Sequence, residues 1–267
     1  MIGSFPSGTS LILTILGILA IGSVFAVIGN SAIDRIPKHQ SVVQPGPYCR
    51  SCAAKLLWYD LIPVWSYVIR FRGKCPYCGS KMPTRNLVVD LAIMIWIGAF
   101  VMKFGWSYEA LLKLTFGVGL ITIFVIQMEN RRLSTMILLV LMMLSMVYVL
   151  GFNQGEFPLA TVSFFVGAAI LLFYSILKIV INIRPGIDFS EVEFGAILGL
   201  FLGLPQIMVC VFLAILGGAV LGSLRIKFMG VDRRTAVPDF PMLLAASAML
   251  TLLFGTEILS SYKDLGL

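Results

Sequence analysis

Apolar residues fill this chain in long, nearly unbroken runs, not in the spaced stripes of a water-facing helix. A bilayer-crossing helix needs about 20 predominantly apolar residues, because no water is there to satisfy its backbone groups. The first such run covers 9–29, and a polar, Cys-bearing stretch follows over 30–86. Further runs lie near 87–104, 109–127, 133–151 and 158–182, then near 190–203, 205–224 and 237–259, with a break at Gly203-Leu204-Pro205. The pattern predicts eight helices, of which 190–203 is too short to cross alone. The 9–29 run lacks a basic n-region and a small-residue cleavage site, so it reads as a retained span. The predicted fold is an all-α polytopic membrane protein. Its parts are a first transmembrane helix (1–29), a small insert (30–86) and a helical membrane domain (87–267).

Composition agrees. Of 267 residues, 59% are apolar and 12% charged, against roughly a quarter charged in soluble domains. A water-soluble globule is excluded, since one core of this length cannot hide so much apolar surface. The net charge of +7 raises nucleic acid as a partner, but its distribution gives it another meaning. Seventeen of the twenty Lys and Arg fall on alternate loops: nine in 30–86, two at Arg131 and Arg132, Lys178 and Arg184, and four from Arg225 to Arg234. The positive-inside rule makes those loops cytoplasmic and both termini external. The expected partner is the lipid bilayer, with no nucleic acid.

The insert holds Cys49-Arg-Ser-Cys52 and Cys75-Pro-Tyr-Cys78. Two such knuckles read as a four-thiolate zinc site, because a two-residue spacer lets both sulfurs reach one tetrahedral metal. Disulfides compete, but a cytoplasmic insert is reducing territory. Four thiolates leave no open position for a catalytic water, so the zinc is expected to be structural. The single histidine, His39, leaves metalloprotease and His-dependent triad chemistry little to use.

The run Leu57-Trp58-Tyr59-Asp60-Leu61-Ile62-Pro63, followed by Arg72-Gly73-Lys74 and the second knuckle, resembles the cytoplasmic insert of type IV prepilin peptidases. Asn30 with Arg35-Ile36-Pro37 resembles that family's first-helix exit. Pro83-Thr84-Arg85 leading to Asp90 resembles its re-entry, with Asp where Glu is usual, and Val237-Pro238-Asp239-Phe240-Pro241 its last helix. The resemblance implies an eight-helix intramembrane aspartyl protease that clips leaders from prepilins. It often also N-methylates the new terminus with S-adenosylmethionine. No glycine-rich nucleotide loop follows a strand here, so that cofactor rests on resemblance only.

The catalytic pattern departs from the family. Its first Asp, in Ile-Asp-Leu-Glu, corresponds to Gln127 within Ile126-Gln127-Met128-Glu129. Its second, in Gly-x-Gly-Asp, corresponds to Glu191 within Asp188-Phe189-Ser190-Glu191, and the usual following Lys is Glu193. An acid pair needs one ionised and one neutral carboxyl. An amide has no proton to exchange near neutral pH, and the extra methylene of Glu191 shifts its oxygens by about 1.5 Å, where angstrom misplacement costs about a hundredfold. Glu129, two residues on, points about 200° away from Gln127. Three readings follow. One is a non-cutting protein that binds a prepilin-like helix or serves as a subunit of a larger membrane complex. Another is a leader peptidase with an acid pair rewired from Glu191, Glu193, Glu129 or Asp188. The third keeps only methyl transfer or another function in the zinc-stapled insert. In the first, Asp188, Glu191 and Glu193 form an acidic edge that attracts a basic leader, and the glycines at 195, 199 and 203 permit close helix packing, internal or external.

Overall fold

The computed structural model describes residues 8–38, 40–42, 48–49, 51–55, 74–75, 77–81, 83–130, 133–180, 188–229 and 239–264. His39, the 57–63 motif, Arg131, Arg132, Arg184 and residues 237–238 lie outside them. The described residues form eight α-helices: α1 (Gly8–Arg35), α2 (Thr84–Phe104), α3 (Tyr108–Asn130), α4 (Thr135–Phe152), α5 (Phe157–Val180), α6 (Phe189–Leu202), α7 (Leu204–Met229) and α8 (Phe240–Asp264). Among them there is no sheet, only two isolated bridges. Six helices, α1 to α5 and α7, are long and apolar enough to cross a membrane. Their outward side chains, such as Leu13, Phe165, Phe173 and Phe212, are large, apolar and exposed, which only a hydrocarbon solvent tolerates over so wide an area.

The chain divides into two compact units, Met1–Ala110 and Leu111–Leu267. In the first, α1 lies along α2. The first helix continues six residues past the end of its apolar run because its polar residues there find partners. Asn30 Nδ2 donates to Asp90 Oδ1 of α2 at 2.6 Å, and Asp34 pairs with Arg85 of α2. Arg35, at the last turn, donates from Nη1 to the carbonyls of Ser41 (3.2 Å) and Val42 (3.1 Å). Each contact removes a polar group from hydrocarbon, where leaving it unpaired costs several kcal/mol.

In the second unit α6 is the innermost element. Its 14 residues rise only about 21 Å, yet ten of them are buried, so it is wrapped by its neighbours and does not face lipid. Phe201 near its end stacks on Phe116 of α3 at 3.7 Å and meets Tyr148 of α4 at 4.8 Å. Along α5 the two backbones touch. A Cβ on Gly167 would strike the carbonyl oxygen of Gly195, and one on Gly199 the carbonyl oxygen of Ser163. Absent side chains thus let α5 and α6 approach more closely than larger residues allow, and the four-residue glycine spacing on α6 serves internal packing. Pro205 in the first turn of α7 needs no amide partner there. α7 and α8 pack through Cys210, whose Sγ lies 3.2 Å from Ser247 Oγ, and both residues are buried.

Candidate functional site

The two knuckles fold alike. In the first, Cys49 N–H donates to Ala54 O and Ala53 N–H to Cys49 O, both at 2.9 Å, and Tyr48 bridges Lys55. In the second, Cys75 N–H donates to Ser80 O at 2.8 Å, Gly79 N–H to Cys75 O at 2.9 Å, and Lys74 bridges Lys81. The residue after each second cysteine is left-handed, Ala53 at φ 56° and Gly79 at φ 70°, which turns the chain so that both thiols of a knuckle face the same way. The sequence supplies Gly at only one of these two positions.

This brings Cys49, Cys52, Cys75 and Cys78 together, with all four sulfurs within 4.8 Å of one another. Cys49 Sγ and Cys78 Sγ are 3.8 Å apart, which matches the edge of about 3.8 Å for a tetrahedron with 2.3 Å metal–sulfur bonds. All four are free thiols. Their acidities diverge within one cluster. The Cys52 backbone amide lowers the Cys49 thiol to about 6, and hydrogen bonds from the Ser80 hydroxyl and amide lower Cys78. The Ala54 amide favours the Cys52 thiolate, yet burial and the neighbouring sulfurs push it up to about 11. Four sulfurs so close cannot all ionise without a cation among them, so the donor set fits a thiophilic metal ion. Ser80 was not singled out by sequence. Its hydroxyl sits 3.1 Å from Cys78 Sγ, placed to support that ligand.

Glu191 is buried in the first turn of α6. Its Oε2 accepts from Lys178 Nζ, in the last turn of α5, and from Ser175 Oγ at 3.3 Å. Lys178 is itself buried, with its ammonium 4.8 Å from the centroid of the Tyr174 ring, and Tyr174 packs on Phe240 of α8 at 4.6 Å. The sequence count places Lys178 in a basic loop. It lies instead inside the α5–α6 contact, because an anion is there to meet it. Among the described residues, the Glu191 carboxylate is bonded to a cation and a hydroxyl, not to a second acid. Ser175-x-x-Lys178 in an apolar run, with a carboxylate on the next helix, is the signal sequence reasoning passed over.

Gln127 is buried near the end of α3. Short connections make α3, α4, α5 and α6 alternate in direction, so α3 and α6 run antiparallel. From the Phe116–Phe201 stack, Gln127 is about 16 Å along α3 and Glu191 about 15 Å back along α6. Both positions lie on the same side of that stack. The other candidate acids do not join them. Glu129 and Glu193 are exposed. Asp188 caps α6, accepting from Ser190 N–H at 3.1 Å. That cap and the Lys178–Glu191 pair correct the open acidic edge expected from sequence, leaving Glu193 as its exposed member.

A family profile described as Bacterial Peptidase A24 N-terminal domain matches residues 18–104. That segment holds the α1–α2 polar junction and both knuckles. A protein of Bacillus subtilis (strain 168) named Prepilin leader peptidase/N-methyltransferase is 26% identical over 261 residues, 96% of this chain and 98% of that protein. The chain is similar to the type IV prepilin peptidases, over residues 18–104 by profile and along nearly its whole length by this relative. Proteins of the same name from Stutzerimonas stutzeri and Myxococcus xanthus (strain DK1622) are 26% identical over 82% of this chain and 29% identical over 85% of it, covering 75% and 66% of their own lengths. No solved structure matches. The cation beside Glu191 is Lys178 of α5. The relatives' name includes methyl transfer.

Proposed function

We propose that this is a prepilin-peptidase-like protein of the bacterial inner membrane that binds a helical membrane partner or a prepilin-like segment without cutting it. The observation that carries the reading is the fate of the two family acid positions. One is an amide. The other keeps its carboxylate, but Lys178 and Ser175 occupy one of its oxygens. A general base must accept a proton and a general acid must donate one. Gln127 does neither, and among the described residues an ion-paired Glu191 meets no second carboxyl to share a proton with. In this reading the helices keep a site that receives a partner helix at the membrane edge. In this reading the insert is cytoplasmic, both termini are external, and residues 30–86 form a separate module held by one structural zinc on Cys49, Cys52, Cys75 and Cys78.

The deciding experiment incubates the purified full-length chain with a labelled prepilin in detergent. The expected result is an intact substrate that co-purifies with the protein. Appearance of mature product that disappears in Glu191→Ala would overturn the reading in favour of a rewired peptidase. Elemental analysis gives the zinc assignment its own test, with one zinc per chain expected and none if the assignment is wrong.

A further inference from the structure

The knuckles carry more charge than a metal staple explains. Between residues 36 and 83 there are seven Lys and Arg and one acid, Asp60. Lys55, Lys74 and Lys81 are all exposed, and each occupies a bridge position flanking a knuckle. Lys74 and Lys81 face each other directly across their bridge, where like charges repel unless an anion lies between them. Beside them Tyr77 is 58% exposed and Tyr48 39%. Tyrosine with lysine is the pairing that settles at the headgroup level of a bilayer, ring toward the acyl boundary and ammonium toward phosphate.

The insert is also held where headgroups are. Arg35, in the last turn of α1, fastens the chain through the Ser41 and Val42 carbonyls and sets its guanidinium 5.5 Å from the centroid of the Tyr48 ring. Lys81 stands three residues before Thr84, the first residue of α2, so extended backbone carries it at most about 11 Å from that helix. The polar zone of each leaflet is about 5–8 Å deep. Chain length thus tethers the second knuckle within reach of the lipid phosphates.

We propose that Lys55, Lys74 and Lys81, with Tyr48 and Tyr77, form a docking face for anionic phospholipid headgroups, which lays the insert flat on the membrane. A surface lysine contributes about fivefold in affinity for an anionic leaflet, so three give a preference on the order of a hundredfold. The competing role for these lysines is neutralising the metal-bound thiolates, and the test separates the two. Full-length protein in mild detergent is titrated with phosphatidylglycerol and with phosphatidylcholine, and bound lipid is read by native mass spectrometry alongside zinc content. Wild type is expected to prefer phosphatidylglycerol, and raising the salt from about 0.05 to 0.5 M, which contracts the screening length to a few ångströms, to erode that preference. K55Q/K74Q/K81Q is expected to bring the two lipids near parity with zinc retained, while K103Q, at the far end of α2, keeps the preference. Equal binding of both lipids by wild type would overturn the proposal. So would an undiminished preference in the triple variant, or loss of zinc together with lipid.

Discussion

Lys178 on α5 donates to Glu191 on α6, and both side chains are buried within a helix contact that glycines have made as close as backbones allow. The pair spans the last turn of one helix and the first turn of the next, so each charge also faces the favourable end of its own helix dipole. Ser175 takes a further share of the same carboxylate oxygen. The Glu191 carboxylate is thus a fastening between two helices.

Removing the cation alone should therefore be costly. Lys178→Met leaves a buried carboxylate without its partner, and breaking such a pair from one side costs about 3–5 kcal/mol. Lys178→Met with Glu191→Gln removes both charges and should recover most of that loss. Thermal unfolding of the full chain in detergent reads both. Equal destabilisation of single and double variants would show that the two side chains are not coupled.

Glycines of this chain differ sharply in what they tolerate. Gly199→Ala drives a methyl into the Ser163 backbone carbonyl, which cannot rotate away, so the helices must part. Overpacking of this kind costs about 1–3 kcal/mol. Gly98, within α2, has nothing within 4 Å of an added Cβ. Gly98→Ala should be neutral or stabilise by about 0.5–1 kcal/mol through helix propensity. The same unfolding assay compares them, and a larger loss at Gly98 than at Gly199 would contradict the packing described.

Most of the architecture was legible in the order of apolar runs, since a membrane forces each crossing to be a helix and leaves few ways to end one. The short run at 190–203 already announced α6 as a helix that does not cross alone. The thiolate cluster was equally plain, because two-residue spacers fix sulfur geometry locally. What was not legible depends on contacts distant in sequence. The extension of α1 to Arg35 needs Asp90 and Arg85, some fifty to sixty residues away. Lys178 looked like a loop charge because the carboxylate it meets lies on the next helix, thirteen residues on. That Gln127 and Glu191 lie on the same side of the Phe116–Phe201 stack likewise required that contact.

Metal removal should act locally. In a module this small the ion's binding free energy is also its folding free energy. Chelation of the full chain is expected to increase protease sensitivity between residues 36 and 83 while helix content, read by circular dichroism, stays nearly constant. Loss of helix content in step with zinc would show that the membrane helices also depend on the metal.

The two knuckles make a matched pair in which one carries strain and the other does not. Ala53 and Gly79 occupy the same left-handed turn position, where an L side chain costs about 1–2 kcal/mol. Ala53→Gly relieves that cost but gives the unfolded chain about 0.5–1 kcal/mol of extra freedom, leaving a net gain of up to about 1 kcal/mol. Gly79→Ala runs the other way. Because metal binding and folding are one equilibrium here, these changes should appear as zinc affinity raised up to about fivefold for Ala53→Gly and lowered by a similar factor for Gly79→Ala. Competition with a chromophoric chelator measures both on the intact protein. The decisive feature is the opposite sign at equivalent positions: if both substitutions shift affinity in the same direction, the two turns are not the equivalent structures described.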